Sequence, residues 1–306
     1  MNEGIQLTVF PSANPTLKEA FQAFCDVYMP EHNFAQATKR GYRYDLSEWL
    51  FQIALPNVKN IDIRSIQRYL QHLVQQGLQD ATRQRKIAAI ATFLRFLEEQ
   101  GVLPVGLSSS LVWPKVERNE PHPLSPTQYR AILAEAAGNP RDLAMFATLL
   151  QTGIRLSELT GLTLESITLS HEPSVDPITG YGLLRVRRHG GRVAELVVNY
   201  KAARAIQDYL VVRPNSPSQT LFLNRYGEAI TNRGVEKAFK KYAKSAHVPW
   251  AHVESLRTTH IMEHLARKTN IQIVQENAGH SSLAVTNYYA QFVKEAQIKA
   301  MQENAL

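Results

Sequence analysis

The chain has 306 residues, 44% of them hydrophobic, and a formal net charge of +7 at pH 7. This length suits two domains with real cores, and no apolar run approaches the roughly 18 residues of a membrane span. The first residues lack the basic-then-apolar pattern of a secretion signal, and the single cysteine, Cys25, excludes an internal disulfide or a cysteine metal cluster, which leaves the cytoplasm as the default location. The basic balance favours a polyanionic partner, because Lys and Arg release counterions condensed on phosphates. A merely basic enzyme would carry the same net charge, so the placement of the cations has to be read.

The first segment, PTLKEAFQAFCDVYM, is a predicted helix. Thr16 and Glu19 stand in capping-box spacing, and Leu17, Phe21, Phe24 and Tyr28 recur at helical intervals. ATKRGYRYDLSEWLFQI is a second helix. DIRSIQRYLQHLVQQG is a third, opened by Asp62 and stopped by Gly77, and DATRQRKIAAIATFLRFLEEQG a fourth, stopped by Gly101. No strand-type alternation interrupts them. Lys39, Arg40 and Arg43 gather near the start of the second helix, and Arg83, Arg85 and Lys86 near the start of the fourth. Helix N-termini favour phosphate, so both clusters suit a DNA backbone; a solvated charged face reads equally well for either cluster taken alone.

WPKVERNEPHPLS carries three prolines and no periodicity, and marks a linker over 113–124 between units at 1–112 and 125–306. Ser125 and Pro126 then open a helix. DLAMFATLLQTGIRLSELTGLTL is apolar and helical with one arginine, Arg155, inside it. YGLLRVRRHGGRVAELVVN has two short strands around His189-Gly190-Gly191. KAARAIQDYLVV, NRGVEKAFKKYAKSAH, SLRTTHIMEHLARK and NIQIVQENAG are further helices, and KEAQIKAMQENAL a weakly amphipathic tail.

Arg155 sits among Leu149, Leu150, Ile154 and Leu159, where a guanidinium is costly unless paired. Glu158, three residues on, can orient it, either as a structural ion pair or as a rigid fork for phosphate oxygens. Arg257 also lies beside apolar helix positions. His280 follows it by 23 residues and Tyr289 follows His280 by nine. Gly279 lets the backbone turn and the imidazole point into a cleft. Taken singly, each of these side chains has an ordinary packing explanation.

Taken in order, TGIRLSEL, the hairpin, LR and AGHSSLAVTNYY resemble the tyrosine recombinase (phage integrase-like) family, over nearly the whole chain. The resemblance implies a mostly α fold with a small β-sheet: an N-terminal four-helix core-binding (SAM-like) domain that binds DNA, and a C-terminal mixed α/β catalytic domain ending in a tail helix. It implies a site-specific recombinase or integrase that cuts and rejoins strands through a 3′-phosphotyrosyl link and a Holliday junction, with no cofactor or metal; no Walker loop or acidic metal cluster stands out. Arg155 and Arg257 would grip the nonbridging phosphate oxygens, His280 would donate to the same phosphate, and Tyr289 would be the nucleophile. Tyr288, turned by about 100° on a helix, would pack. A phenol with an ordinary pKa near 10 needs such cations to act as a nucleophile.

Two positions depart from the family pattern. His189 stands where the hairpin usually carries a lysine that protonates the leaving 5′-oxygen; histidine can transfer that proton, Arg188 or Arg192 would supply charge without it, and both arginines are grouped with the DNA contacts, since the hairpin could equally serve only to meet backbone phosphates. Glu254 stands three residues before Arg257, where a histidine is usual, and His252 lies two residues earlier. The implied partners are duplex DNA with inverted half-sites and further copies of the chain, as a dimer and then a synaptic tetramer, with the tail docking on a neighbour. A catalytically impaired DNA-binding protein of the same fold, or a monomer that relaxes DNA like a topoisomerase, are the competing readings.

Overall fold

In a computed structural model of the chain, residues 10, 14–115, 120–169, 182–188 and 190–303 are described. They divide into two compact units, Met1–Arg118 and Asn119–Leu306.

Among the described residues of the first unit, the regular elements are helices joined by turns. Helix α1 (Leu17–Ala23) begins at the foreseen capping box: the Thr16 hydroxyl accepts from the Glu19 N–H at 3.2 Å, and the Glu19 carboxylate accepts from the Thr16 N–H at 2.8 Å. It runs through a π-helical turn, Phe24–Tyr28, into α2 (Met29–Glu31), so one sequence segment makes a continuous but locally widened rod. Helices α3 (Gln36–Ile53), α4 (Ile63–Gln75) and α5 (Asp80–Glu99) follow, with Asp62 capping α4 through the Ser65 N–H at 2.7 Å. Trp49, Phe24, Phe93, Phe96, Leu46 and Ile66 fill the core. Phe24 meets Phe93 edge-on at 5.3 Å between ring centroids. Each large apolar side chain buried in this way contributes about 1.5–3 kcal/mol.

The second unit begins with α6 (Pro126–Ala136), capped by Ser125, then α7 (Pro140–Thr152) and the short α8 (Leu156–Thr160). A three-stranded antiparallel sheet follows, in the order β1 (Ile167–Leu169), β2 (Gly182–Arg187), β3 (Val193–Val198), with Leu184 opposite both Ile167 and Leu196. Alternation turns Leu184, Val186, Leu196 and Val198 into the core. Helices α9 (Tyr200–Val212), α10 (Asn232–Ser245), α11 (Val253–Ala266), α12 (Ile271–Ala278) and α13 (Leu283–Glu303) complete the unit. Phe146 of α7 meets Phe239 of α10 edge-on at 5.3 Å. No helix among the described residues is long and apolar enough to cross a membrane.

Three local expectations change. Strand β1 was not foreseen, because three residues are too few to show alternation. The helix read through residues 142–164 breaks at Gly153, which takes φ 64°. A side chain there would collide with the His260 imidazole, so the break places Arg155 at a helix start rather than in a helix interior. The tail is not separate from the tyrosine segment: its residues 294–303 continue α13.

Candidate active site

Arg155 is the N-cap of α8, in extended backbone at φ −72°, ψ 152°. Its N–H donates to Glu158 Oε2 at 2.8 Å and its Nη1 to Glu158 Oε1 at 3.1 Å, so Glu158 ties down the backbone at the helix start and also aims the guanidinium. Its Nη2 donates to the Gly279 carbonyl at 2.7 Å, which joins the α7–α8 turn to the α12–α13 turn. The side chain remains 40% exposed, and the guanidinium keeps further N–H donors.

Arg257, on α11, is 5% exposed and donates from Nη1 to the Gly153 carbonyl, beside Arg155 in sequence. Its Nε lies 3.3 Å from Glu254 Oε1, one turn earlier. Burial draws its pKa down and Glu254 holds it up, but a guanidinium titrates so high that it stays protonated.

Helix α12 ends at Gly279, φ 64°, and His280 follows it, buried, with Nδ1 2.8 Å from Thr286 Oγ1 of α13. Burial pushes the imidazole down to about 4, helped by the positive charges of Arg257, Arg155 and Arg188. The ring is therefore neutral at pH 7 and holds one proton. If Thr286 donates its hydroxyl to Nδ1, that proton sits on Nε2, ready for an anion. The Tyr289 ring lies parallel to that of His280 at 6.0 Å, an interplanar angle of 7°. Burial raises the Tyr289 phenol above its ordinary pKa, while Arg257 and a hydrogen bond with Thr258 pull it back. Tyr288 turns instead to Phe292, edge-on at 5.1 Å.

Arg155 at the start of α8, Arg257 on α11, His280 in the α12–α13 turn and Tyr289 on α13 thus meet at two glycine turns, with Glu254 beside them. The Glu254 side chain is 63% exposed, so it reaches Arg257 from the solvent side. His252 is the N-cap of α11 and its backbone N–H donates to Ser255 Oγ at 3.2 Å; the side chain is exposed. His189 lies outside the described residues.

Two cations grouped with the DNA contacts belong to the interior. Arg188 is 8% exposed: its Nη1 donates to Glu158 Oε2 at 2.7 Å and its Nη2 to the Asn277 carbonyl at 2.6 Å. The reason is strand periodicity, since position 188 continues the inward series of 182, 184 and 186. Lys86 is 4% exposed, its Nζ 2.9 Å from Glu48 and 3.4 Å from Asp45. Of the other cations, Arg43 pairs with Asp26 at 2.7 Å, Arg83 with Asp80 and Arg85 with Asp45. Arg40 and Arg192 are exposed and Lys39 is half-buried.

Sequence reasoning missed His260. It is buried one turn beyond Arg257, its Nδ1 3.1 Å from the Leu150 carbonyl, and burial pushes it down to about 3. Its i,i+3 spacing from Arg257 was the available signal. Thr286, fully buried against His280, left none.

A family model described as the phage integrase family matches residues 123–295, and one described as the phage integrase N-terminal SAM-like domain matches 21–101. A tyrosine recombinase XerC from Roseiflexus sp. (strain RS-1) is 29% identical over 89% of this chain and 89% of its own length. Another from Pelobacter propionicus (strain DSM 2379 / NBRC 103807 / OttBd1) is 30% identical over 89% of this chain and 90% of its own. Among solved structures, a lambda integrase tetramer bound to a Holliday junction superposes with a TM-score of 0.70 at 14% identity, over 90% of this chain and 77% of that one. The XerH site-specific recombinase bound to a palindromic difH substrate gives 0.68 at 17%, over 92% and 82%. At these identities the structural matches speak for the fold.

Proposed function

The chain belongs to the phage integrase family of site-specific tyrosine recombinases, and on that premise we propose that Tyr289 is the residue that cuts DNA. The phenol oxygen attacks the scissile phosphorus, forming a P–O bond to tyrosine as the bond to the 5′-oxygen breaks. The phenolic proton passes to water or to Glu254, and the departing 5′-oxygen takes up a proton, a task assigned to His189. Attack by the 5′-hydroxyl of a partner strand reverses these events and releases Tyr289. Bond energy is conserved throughout, so the cycle balances without an external energy source.

Arg155 and Arg257 hold the two nonbridging oxygens, and neutral His280 donates Nε2–H to the same phosphate. Backbone carbonyls aim these guanidiniums, and with Arg188 beside them three guanidiniums share only the two carboxylates of Glu158 and Glu254; that is the observation that carries the reading: positive charge is left in excess for an anion at the place where a phenol waits. Glu254 steadies Arg257 through Nε.

Residues 1–112, joined through 113–124 to 125–306, would grip the duplex, with Lys39, Arg40, Arg43, Arg83, Arg85 and Arg192 at backbone phosphates. Two solved relatives, one a tetramer on a Holliday junction and one on a palindromic substrate, support inverted half-sites filled by dimers that pair into a tetramer. The single cysteine and a DNA substrate fit action in the cytoplasm.

The test is covalent trapping. Duplexes retained from a random-sequence pool supply the site, and a nick beside the scissile phosphate lets the short fragment escape, so that after cleavage the protein stays linked to the DNA. Wild type and Tyr288→Phe should form the adduct and Tyr289→Phe should not. An adduct formed by Tyr289→Phe would remove the assignment.

A further inference from the structure

Glu158 accepts from both Arg155 and Arg188, and the two guanidiniums enclose the turn that carries His280. Arg155 holds it by the Gly279 carbonyl at 2.7 Å; Arg188 holds it by the Asn277 carbonyl at 2.6 Å and, more weakly, the Glu276 carbonyl at 3.4 Å. The Arg188 guanidinium lies flat on Gly279: a Cβ built there would come within 2.7 Å of Nη1, 2.9 Å of Cζ and 3.0 Å of Nε. That Nε–H is buried with no acceptor among the described residues, so the side chain keeps this place at the cost of an unmade hydrogen bond. The hairpin end is pinned too: the Arg188 N–H donates to the Arg192 carbonyl at 2.7 Å and the Gly191 N–H to the Arg188 carbonyl at 3.1 Å.

Resting on the recombinase reading above, we propose that Arg188 is a positioning residue for strand cleavage: bridged by Glu158 to Arg155 and laid against Gly279, it sets where Arg155 and His280 stand about the scissile phosphate. It touches neither the phosphate nor the phenol. A lysine in its place would keep the charge but not the fork, since one ammonium cannot satisfy a carboxylate and a carbonyl on another element with the same geometry. An alanine at Gly279 would push against the same guanidinium.

The experiment compares wild type, Arg188→Met, Arg188→Lys, Arg155→Lys and the Arg155→Lys/Arg188→Met double variant. The full chain is used at saturating concentration on the nicked duplex, with sulfur in place of the 5′-bridging oxygen so that slow variants stay measurable. Arg188→Met should cleave about 100-fold more slowly, and Arg188→Lys should recover less than about tenfold of that loss. In the Arg155→Lys background the Arg188→Met loss should shrink to about threefold or less, because the residue it positions is already altered. DNA affinity and its slope against salt should stay those of wild type. A slope shallower by about 0.9 would mean a lost phosphate contact and overturn the proposal, as would equal cleavage rates or full additivity. If Arg188→Met fails to fold, Arg188→Lys, which keeps the buried charge, decides the matter through the same rate and salt slope. Absence of a covalent adduct with wild type would instead sink the recombinase chemistry itself.

Discussion

The two units balance their inward-facing cations differently. In the first, Asp45 is fully buried and takes both Arg85 and Lys86, while Glu48 takes Lys86 as well, so the charges cancel within the unit. In the second, Arg155 and Arg188 share the one carboxylate of Glu158, Arg257 has Glu254, and Arg155 and Arg257 also donate to backbone carbonyls, so three guanidiniums meet two carboxylates and positive charge is left over. A carbonyl orients a guanidinium but leaves its charge in place, whereas a carboxylate removes it. Balanced charge can be tolerated inside a fold; charge held in place and in excess is a site waiting for an anion. The same residue types therefore do different work, and the acceptor decides which.

The strongest challenge to that contrast is removal of an oriented arginine. Arg257→Ala is expected to slow adduct formation by about 100- to 1,000-fold, as loss of one preorganised donor to a transition-state oxygen usually does, with DNA affinity little changed. Single-turnover trapping checks it, and a loss in affinity alone would show Arg257 to be an ordinary phosphate contact.

The second unit should also carry a pH dependence of stability. His280 and His260 are held at about 4 and about 3, below the ordinary 6.5. The unfolded chain thus binds protons that the folded chain refuses. Their stability is full above 6.5 and is lost as pH falls through 6.5 towards those values. Between pH 7 and pH 5 the loss should be roughly 3–4 kcal/mol, taking about 1.4 kcal/mol per pKa unit for each ring. Thermal melts at the two pH values measure it, and unchanged melting would mean that the buried imidazoles accept protons without penalty.

The smaller effects sharpen the comparison from the other side. Lys86→Met should destabilise the first unit by about 2 kcal/mol, because Glu48 and Asp45 lose an internal partner, yet leave the salt slope of DNA binding unchanged. Arg40→Gln, at an exposed position, should do the reverse: unchanged melting, and a slope smaller by about 0.9. Denaturant titration and affinity measured against salt separate the two. A steepness change with Lys86→Met would return that residue to the DNA-facing set.

How much of this was legible from the chain depends on distance along it. Thr16, Asp62 and Ser125 each announce a helix start because a cap is read within three residues, and all three cap as expected. The hairpin around Gly190-Gly191 was visible from its flanking alternation, and that alternation carried to position 188 would have turned Arg188 inward. Arg155, Arg257, His280 and Tyr289 were recognisable by order and spacing, since a motif survives in one dimension even though its parts meet in three.

What the sequence by itself determined is this: helical segments with their caps, a hairpin, and an ordered set of residues suited to a phosphodiester. Tertiary structure alone decided which acceptor each cation meets, that Glu158 serves two arginines, that Thr286 holds His280, and that Gly153 must leave room for His260. The physical reason is that hydrogen bonds and burial act over a few ångströms in space, and pairs such as Arg155 with Gly279 and Arg257 with Gly153 lie more than a hundred residues apart in the chain.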